Sequence, residues 1–238
     1  MAERETFVRS VIDAQPDVAE GPARFLTRMC RAAARTLSAS GTGVSVFTDD
    51  AVRGVGAASD PRSERVEELQ FVLGEGPCID AFDSRHPVLV ADLAGEAMTR
   101  WPMYTPAAHQ DGVRAVFAFP LQVGASRLGV LDVFRDHIGA LSDDQLADAL
   151  TFADVTVAAL LDEQEGTNNA ADGDGIANSV EYRSELFQAQ GMVMVQIGGT
   201  INEAMARLRA YAYAESRGLG EIAREVVAGR LSFHQDRP

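Results

Sequence analysis

Residues 182–231 read YRSELFQAQGMVMVQIGGTINEAMARLRAYAYAESRGLGEIAREVVAGRL, and their apolar residues recur at helical spacing. Leu186, Ala189, Gln190, Val193 and Ile197 stand at i, i+3, i+4, i+7 and i+11, which predicts a helix from about residue 181 to residue 197. Gly198-Gly199 ends it. Thr200 followed by Glu203 has the spacing of a capping box and opens a second helix. That helix buries Ala204, Leu208, Tyr211 and Ala212 and closes at Arg217-Gly218, a cation and then a glycine. A third begins near Leu219 and repeats apolar residues at Ile222, Ala223, Val226 and Val227. Three helices of this size make a poor core alone, so the bundle is expected to lean on a dimer partner or on the rest of the chain. Ala189, Gly191, Ala204 and Ala212 are small enough to let helix backbones approach closely.

From spacing alone, Arg209, Tyr213 and Arg217 at i, i+4 and i+8 admit two readings. They offer guanidinium contacts to phosphate and an aromatic plate for an unstacked base, with Arg207, Arg224 and Arg230 able to extend the patch. They equally make a solvated helix face on which Glu215 and Glu221 pair with the arginines. The stretch resembles the ANTAR domain, an RNA-binding output module of bacterial antitermination regulators. The resemblance is carried by Arg183, Leu186 and Ala189-x-Gly191, then Glu203-Ala204, Leu208-Arg209 and Ala212. Leu219-x-x-Ile222-Ala223 and Val226-Val227 complete it. It implies an all-α three-helix domain at 180–238 that contacts RNA through Arg183, Gln190, Arg209, Tyr213 and Arg217. Gln190 stands where that family usually has lysine. The implied partner is a pair of short stem-loops in a nascent transcript, which suits a two-fold homodimer.

The chain of 238 residues, 46% apolar and 24% charged, has the make-up of one or two globular domains. No apolar run reaches the roughly 18 residues of a membrane span, and MAERETFVRS is no signal peptide. A cytoplasmic protein is expected. Cys30 and Cys78 are too few for a disulfide framework or a zinc site, and the four histidines have no metal spacing. Residues 1–179 hold 14 arginines against 28 acids, whereas residues 180–238 hold 7 of each. Bulk charge therefore argues against nonspecific nucleic-acid or membrane binding, and no specific DNA partner is expected. A nucleic-acid role would need a local patch on the neutral C-terminal stretch. Every cation is arginine, the side chain suited to bidentate phosphate contacts.

Upstream, residues 5–14 predict a short helix that Pro16 interrupts, and residues 22–37 a longer one with Phe25, Met29 and Ala33 on one stripe and Cys30 facing the core. GTGVSVFTDD and AVRGVGAASD are strand-like runs around a Thr48-Asp49-Asp50 turn. RSERVEELQ is helical, PVLVADL a strand, Trp101 to His109 a short helix. VRAVFAFPLQ and RLGVLDVFRD are two strands joined at Val123–Ser126. A helix from Ser142 to about Asp162 follows, its apolar face at Leu146, Leu150, Ala153, Val157, Leu160 and Leu161. This order predicts an α+β fold, an antiparallel sheet covered by helices. It resembles a GAF domain, the small-molecule sensing module, over residues 20–163, behind an N-terminal helical extension at 1–19. The carriers are LGEGPC with Asp80-Ala81, Asp92-Leu93, Trp101-Pro102, GVRAVFAFPL and GASRLGVL. Residues 164–179, poor in apolar periodicity, are a linker by composition. Asp172-Gly-Asp174-Gly fails as a calcium loop, because Ala177 and Arg183 stand at its sixth and twelfth positions.

A GAF domain holds its ligand between sheet and helices, which makes Phe47, Phe82, Trp101, Tyr104, Phe117 and Phe119 candidate walls, Asp80 and Arg114 polar anchors, and Cys78 a contact. At a helix N-terminus Cys78 is also a candidate redox thiol; the bland reading is a tight loop with a buried, inert cysteine. Nothing identifies a cofactor or a resident metal. No Walker loop, nucleophile elbow or Cys–His pair is present, and catalytic residues are not expected. The resemblances imply a signal-responsive regulator that binds RNA and promotes antitermination. The rivals are a sensor acting through a protein partner and a thiol reductase on Cys78.

Overall fold

The computed structural model describes residues 2–16, 23–47, 53–95, 97–169, 177–215 and 217–233. In chain order the elements begin with α1 (Ala2–Asp13), α2 (Ala23–Thr36), β1 (Gly41–Phe47), β2 (Arg53–Ala58), α3 (Pro61–Leu73) and α4 (Pro77–Ser84). Then come β3 (Val88–Val90), α5 (Ala97–Arg100), α6 (Tyr104–Gln110), β4 (Ala115–Val123) and β5 (Ser126–Arg135). The chain ends with α7 (Asp143–Asn169), α8 (Ala177–Ile197), α9 (Ile201–Ala214) and α10 (Leu219–Val227). The strands form one sheet in the order β2-β1-β5-β4-β3, every neighbouring pair antiparallel. The α+β sandwich expected from the element order is the fold observed. Gly124 turns the β4–β5 hairpin at φ 56°, a left-handed conformation that glycine takes without strain.

Strand alternation sorts side chains onto two faces. Ala115, Phe117, Phe119 and Leu121 of β4 join Val44, Val46, Leu131 and Val133 on one face, under α1, α2 and α7. Phe47, Val116, Ala118, Val130 and Phe134 point the other way, into a core closed by α3, α4, α5 and α6. That second core continues into α8, α9 and α10, whose Leu186, Ala189, Val193, Ala204, Leu208, Ala212, Ile222 and Val226 belong to the same cluster. The C-terminal helices thus lean on the rest of the chain, chiefly on α3. The backbone N–H of Gly220 donates to Glu68 Oε1 at 3.3 Å. Thr200 and Glu203 form the capping box, and Gly198 closes α8 at φ 63°.

Three differences from the sequence expectation have physical causes. First, α7 runs on to Asn169 and α8 starts at Ala177, so the compositional linker is helical at both ends. Its residues 170–176, like the Thr48–Asp50 turn, lie outside the described residues. Second, α7 buries Ala149, Phe152, Ala153, Thr156 and Leu160. This i, i+3, i+4, i+7, i+11 stripe turns the aromatic ring inward and leaves Leu150 44% exposed. Third, Gly191 meets nothing within 4 Å, so close helix approach rests on the fully buried Ala189, Ala204 and Ala212 instead.

Candidate functional site

Asp60 starts the site by capping α3. Its Oδ1 accepts the backbone N–H of Arg62 and of Ser63, each at 3.0 Å. Burial works to raise its pKa, but these bonds and those from the Ser59 and Ser63 hydroxyls outweigh it and hold the carboxyl below its usual range. The helix then buries Ser63, Val66, Glu67, Gln70 and Phe71, again at i, i+3, i+4, i+7 and i+8. Three polar residues, Ser63, Glu67 and Gln70, therefore share the buried stripe with Val66 and Phe71. Gly74 ends α3 at φ 73°, and Gly76 sits at φ 145° where a Cβ would strike Gln70. Gln70 Oε1 accepts the backbone N–H of Cys78 at 2.8 Å. Glu75 Oε1 accepts those of Met103 at 2.6 Å and Tyr104 at 2.9 Å, which caps α6. The LGEGPC loop is thereby a bracket that fixes the end of α3 and the starts of α4 and α6.

Beneath the bracket lies a polar cluster. The ligating atoms of Glu67, Cys78 and Asp132 are within 4.8 Å of one another, and all three side chains are buried. On β5, Asp132 pairs with Gly43 on one side and Ala118 on the other. The small neighbours leave room above the strand; a Cβ at Gly43 would clash with Glu67. The Ser45 hydroxyl donates to Glu67 Oε2 at 2.9 Å, and Gln70 Nε2 donates to Asp132 Oδ2 at 3.4 Å. Glu67 Oε1, Asp132 Oδ1, the Tyr104 hydroxyl and Trp101 Nε1 are buried without a hydrogen-bond partner. Burial, then the Asp132 charge, pushes the Glu67 carboxyl far above its ordinary range. Burial likewise lifts Asp132, to about 7, while the hydrogen bond from Gln70 works to hold it down. Burial also pushes the Cys78 thiol up, helped by Asp132 and Glu67, against the lowering that a helix N-terminus gives an exposed thiol. The bland reading of Cys78 holds for its accessibility.

Of the residues singled out in the sequence, Phe47, Cys78 and Trp101 lie in the core on this side of the sheet, and Phe47 stacks on Phe82 with ring centroids 3.8 Å apart. Phe117 does not: strand alternation puts it, with Phe119, on the opposite face. Asp80 faces outward to Arg100 at 2.7 Å, because its position on α4 lies away from the buried turn of Cys78, Ile79, Ala81 and Phe82. Arg114 Nη1 donates to the carbonyls of His109 at 2.9 Å and Val113 at 3.0 Å, closing the end of α6 rather than lining a pocket. Glu67, Gln70 and Asp132 are the polar anchors that sequence reasoning missed. The signal was present in the phase: Asp132 alternates with Val130 and Phe134, and Glu67 and Gln70 share a stripe with Val66 and Phe71.

A second group sits on α9 and the turn after it: the helix ends at Ala214, so Arg209 and Tyr213 share it while Arg217 falls outside the expected i, i+8 face. Arg209 lies against the cap of α3, where a Cβ at Gly74 would come within 3.0 Å of its Nη1. Tyr213 is 56% exposed. Arg217 donates through Nε to Glu221 at 2.9 Å and through Nη1 to Glu225 at 3.2 Å. Between α3 and α9 opens a groove of about 310 Å³, with Arg65, Glu68, Tyr213 and Arg217 in its lining. Gln190, expected both on the buried stripe of α8 and as an RNA contact, takes the place on the stripe. Its side chain is 4% exposed, and Nε2 donates to the Ile201 carbonyl at 2.9 Å, tying α8 to α9. Arg183 is on α8, its side chain outside the described residues.

Among the described residues no helix is long and apolar enough to cross a membrane. No curated protein matches the chain. Among solved structures, the GAF domain of a Coxiella burnetii phosphoenolpyruvate-protein phosphotransferase (ptsP) is 14% identical, with a TM-score of 0.54, over 70% of this chain and 96% of its own. The GAF domain of the Acinetobacter phosphoenolpyruvate-protein phosphotransferase is 13% identical, with a TM-score of 0.51, over 70% and 96% respectively. At such identities the likeness is one of fold. The family match is independent of it and covers residues 19–161 under the description GAF domain. GAF domains are ligand-sensing modules, and with the larger part of its length inside that match this chain belongs to the GAF domain family.

Proposed function

We propose that the chain is a cytoplasmic regulator in which the GAF domain controls a three-helix ANTAR-type output, α8 to α10, that binds tandem stem-loop RNA and promotes transcription antitermination as a homodimer. The observation that carries the reading is the placement of α9. Its Arg209 and Tyr213, with Arg217 in the turn that follows, lie over or beside α3, the helix that also lines the buried polar cluster. An input that shifts α3 therefore acts directly on the surface offered to RNA, as a population shift between a docked and a released output. The ion pairs of Arg217 with Glu221 and Glu225 lie within the three-helix unit, so RNA has to compete with α10 for this cation.

The test is a titration of the full chain with tandem stem-loop RNA at two salt concentrations, with single-loop RNA and duplex DNA as controls. Binding is expected to need both loops and to weaken with salt, with a log–log slope of about −2 if three arginines meet phosphate. Arg209→Ala with Tyr213→Ala is expected to abolish it. Glu68→Ala, which removes the acceptor of the Gly220 N–H, is expected to tighten it by freeing the output. RNA binding that survives the double substitution would transfer the output role to a protein partner.

A further inference from the structure

We infer that Glu67, Cys78 and Asp132 form a binding site for one divalent transition-metal ion inside the GAF domain. The donors come from three elements far apart in sequence, α3, α4 and β5, which is why spacing rules for cysteine and histidine do not reveal them. Their ligating atoms already stand within 4.8 Å of one another. Bonds of about 2.0–2.3 Å place donors roughly 3.3–3.8 Å apart in a tetrahedron, so closure takes about 1 Å of movement. Unpartnered oxygens are a second sign. Glu67 Oε1 and Asp132 Oδ1 lack donors, and Tyr104, in the same core, is fully buried with its hydroxyl unpartnered.

Two carboxyls and a thiol in one dry site are costly without a cation, because burial favours their neutral forms. A dication reverses that: it deprotonates a coordinating thiol outright and favours the ionised carboxylates. The protons that the three groups give up leave to solvent, and nothing is oxidised or reduced. The mixed oxygen and sulfur donor set suits zinc or ferrous iron better than magnesium or calcium, which take oxygen alone. A surrounding layer is in place: Ser45 orients Glu67, and Gln70 holds both Asp132 and the backbone of Cys78. Binding also has a route outward. Glu67 faces the cluster, and its neighbour Glu68 accepts from Gly220 at the head of α10. The site does not depend on what the C-terminal helices bind.

The probe is cobalt(II), added to the full chain after chelator treatment. One equivalent is expected to bind and to produce thiolate-to-cobalt charge-transfer absorption in the near ultraviolet, which zinc(II) then abolishes by displacement. Cys78→Ser removes that absorption and Cys30→Ser leaves it intact. Glu67→Gln and Asp132→Asn, near-isosteric changes that keep the core filled if Cys78→Ser fails to fold, each weaken cobalt binding at least about tenfold. Wild-type protein without the absorption overturns the inference. So does absorption that survives Cys78→Ser, or affinity unchanged in both carboxyl variants.

Discussion

The two faces of the sheet are built on opposite rules. Under α1, α2 and α7, buried Phe117, Phe119, Leu131, Val133, Met29 and Phe152 form a mainly apolar layer, in which the buried Thr42, Thr156 and Arg135 donate to backbone carbonyls. Under α3, α4 and α6, the same strands present Ser45 and Asp132 to Glu67, Gln70 and Cys78, and buried polar atoms remain unsatisfied. Native interiors hold few such orphans, and each calls for an explanation. The apolar layer gains stability from every contact; the polar layer holds groups that stability alone would replace. The candidate site lies on the more polar of the two sides, which is also the side where the C-terminal helices dock.

The sharpest way to break this contrast is to empty the apolar face. Phe152 is fully buried, and Phe152→Ala is expected to cost about 3–5 kcal/mol in urea denaturation, the range for a buried aromatic that leaves a cavity. A loss below about 1 kcal/mol would mean that this layer is not what holds the domain together, and the division of labour between the faces would fall.

How much of this was legible in the sequence depended on whether the deciding pattern was local. The three C-terminal helices, their capping box and the five strands follow from period and cap residues within one segment, and they are where the spacing put them. The site was less legible because its members meet only through topology. Phe117 was misassigned because the strand run around it is apolar at every position, so only pairing decides which side each residue faces. Asp132 and Glu67 were passed over because charged residues in a strand and a helix read as solvent-facing until the register is known. Cys78 drew notice through its motif, yet its role is set by two acids at positions the motif does not contain.

The next largest effect concerns the helix that carries the polar layer. Asp60→Ala removes the cap of α3 and is expected to cost about 1–2 kcal/mol. The native carboxyl titrates below its usual value, so its contribution is full above about pH 4, the unfolded value, and disappears as pH falls through the lower native one. Denaturation midpoints of wild type and variant should therefore differ most at neutral pH and converge in acid. A constant gap across the range would assign the loss to something other than the ionised cap.

A smaller effect of opposite sign tests the polar layer itself. Glu67→Gln keeps the shape and the acceptor for Ser45, and its amide can donate to the orphaned Asp132 oxygen. Without added metal it is expected to raise stability by about 1 kcal/mol, the worth of one satisfied buried hydrogen bond. A wild-type-like metal response in this variant, or a large loss of stability in the metal-free state, would show that the carboxyl is there to hold the fold. The polar face would then differ from the apolar one in composition only.

The smallest expected change asks whether the polar side ends at α8. Gly191 lies mid-helix, half-exposed, with nothing near the place a Cβ would occupy. Gly191→Ala removes the backbone entropy cost of a helical glycine and should stabilise the single chain by about 0.5–1 kcal/mol. The gain is read from thermal denaturation at low protein concentration, and the same variant is then assayed for sedimentation and RNA affinity. Stabilisation with both properties intact leaves the glycine as an unexploited position on a solvent face. Stabilisation accompanied by loss of dimer or of RNA binding means that another backbone needs that space. In that case the polar side of the sheet, α3 and the docked helices would be one continuous surface built for partners, and the apolar face its support.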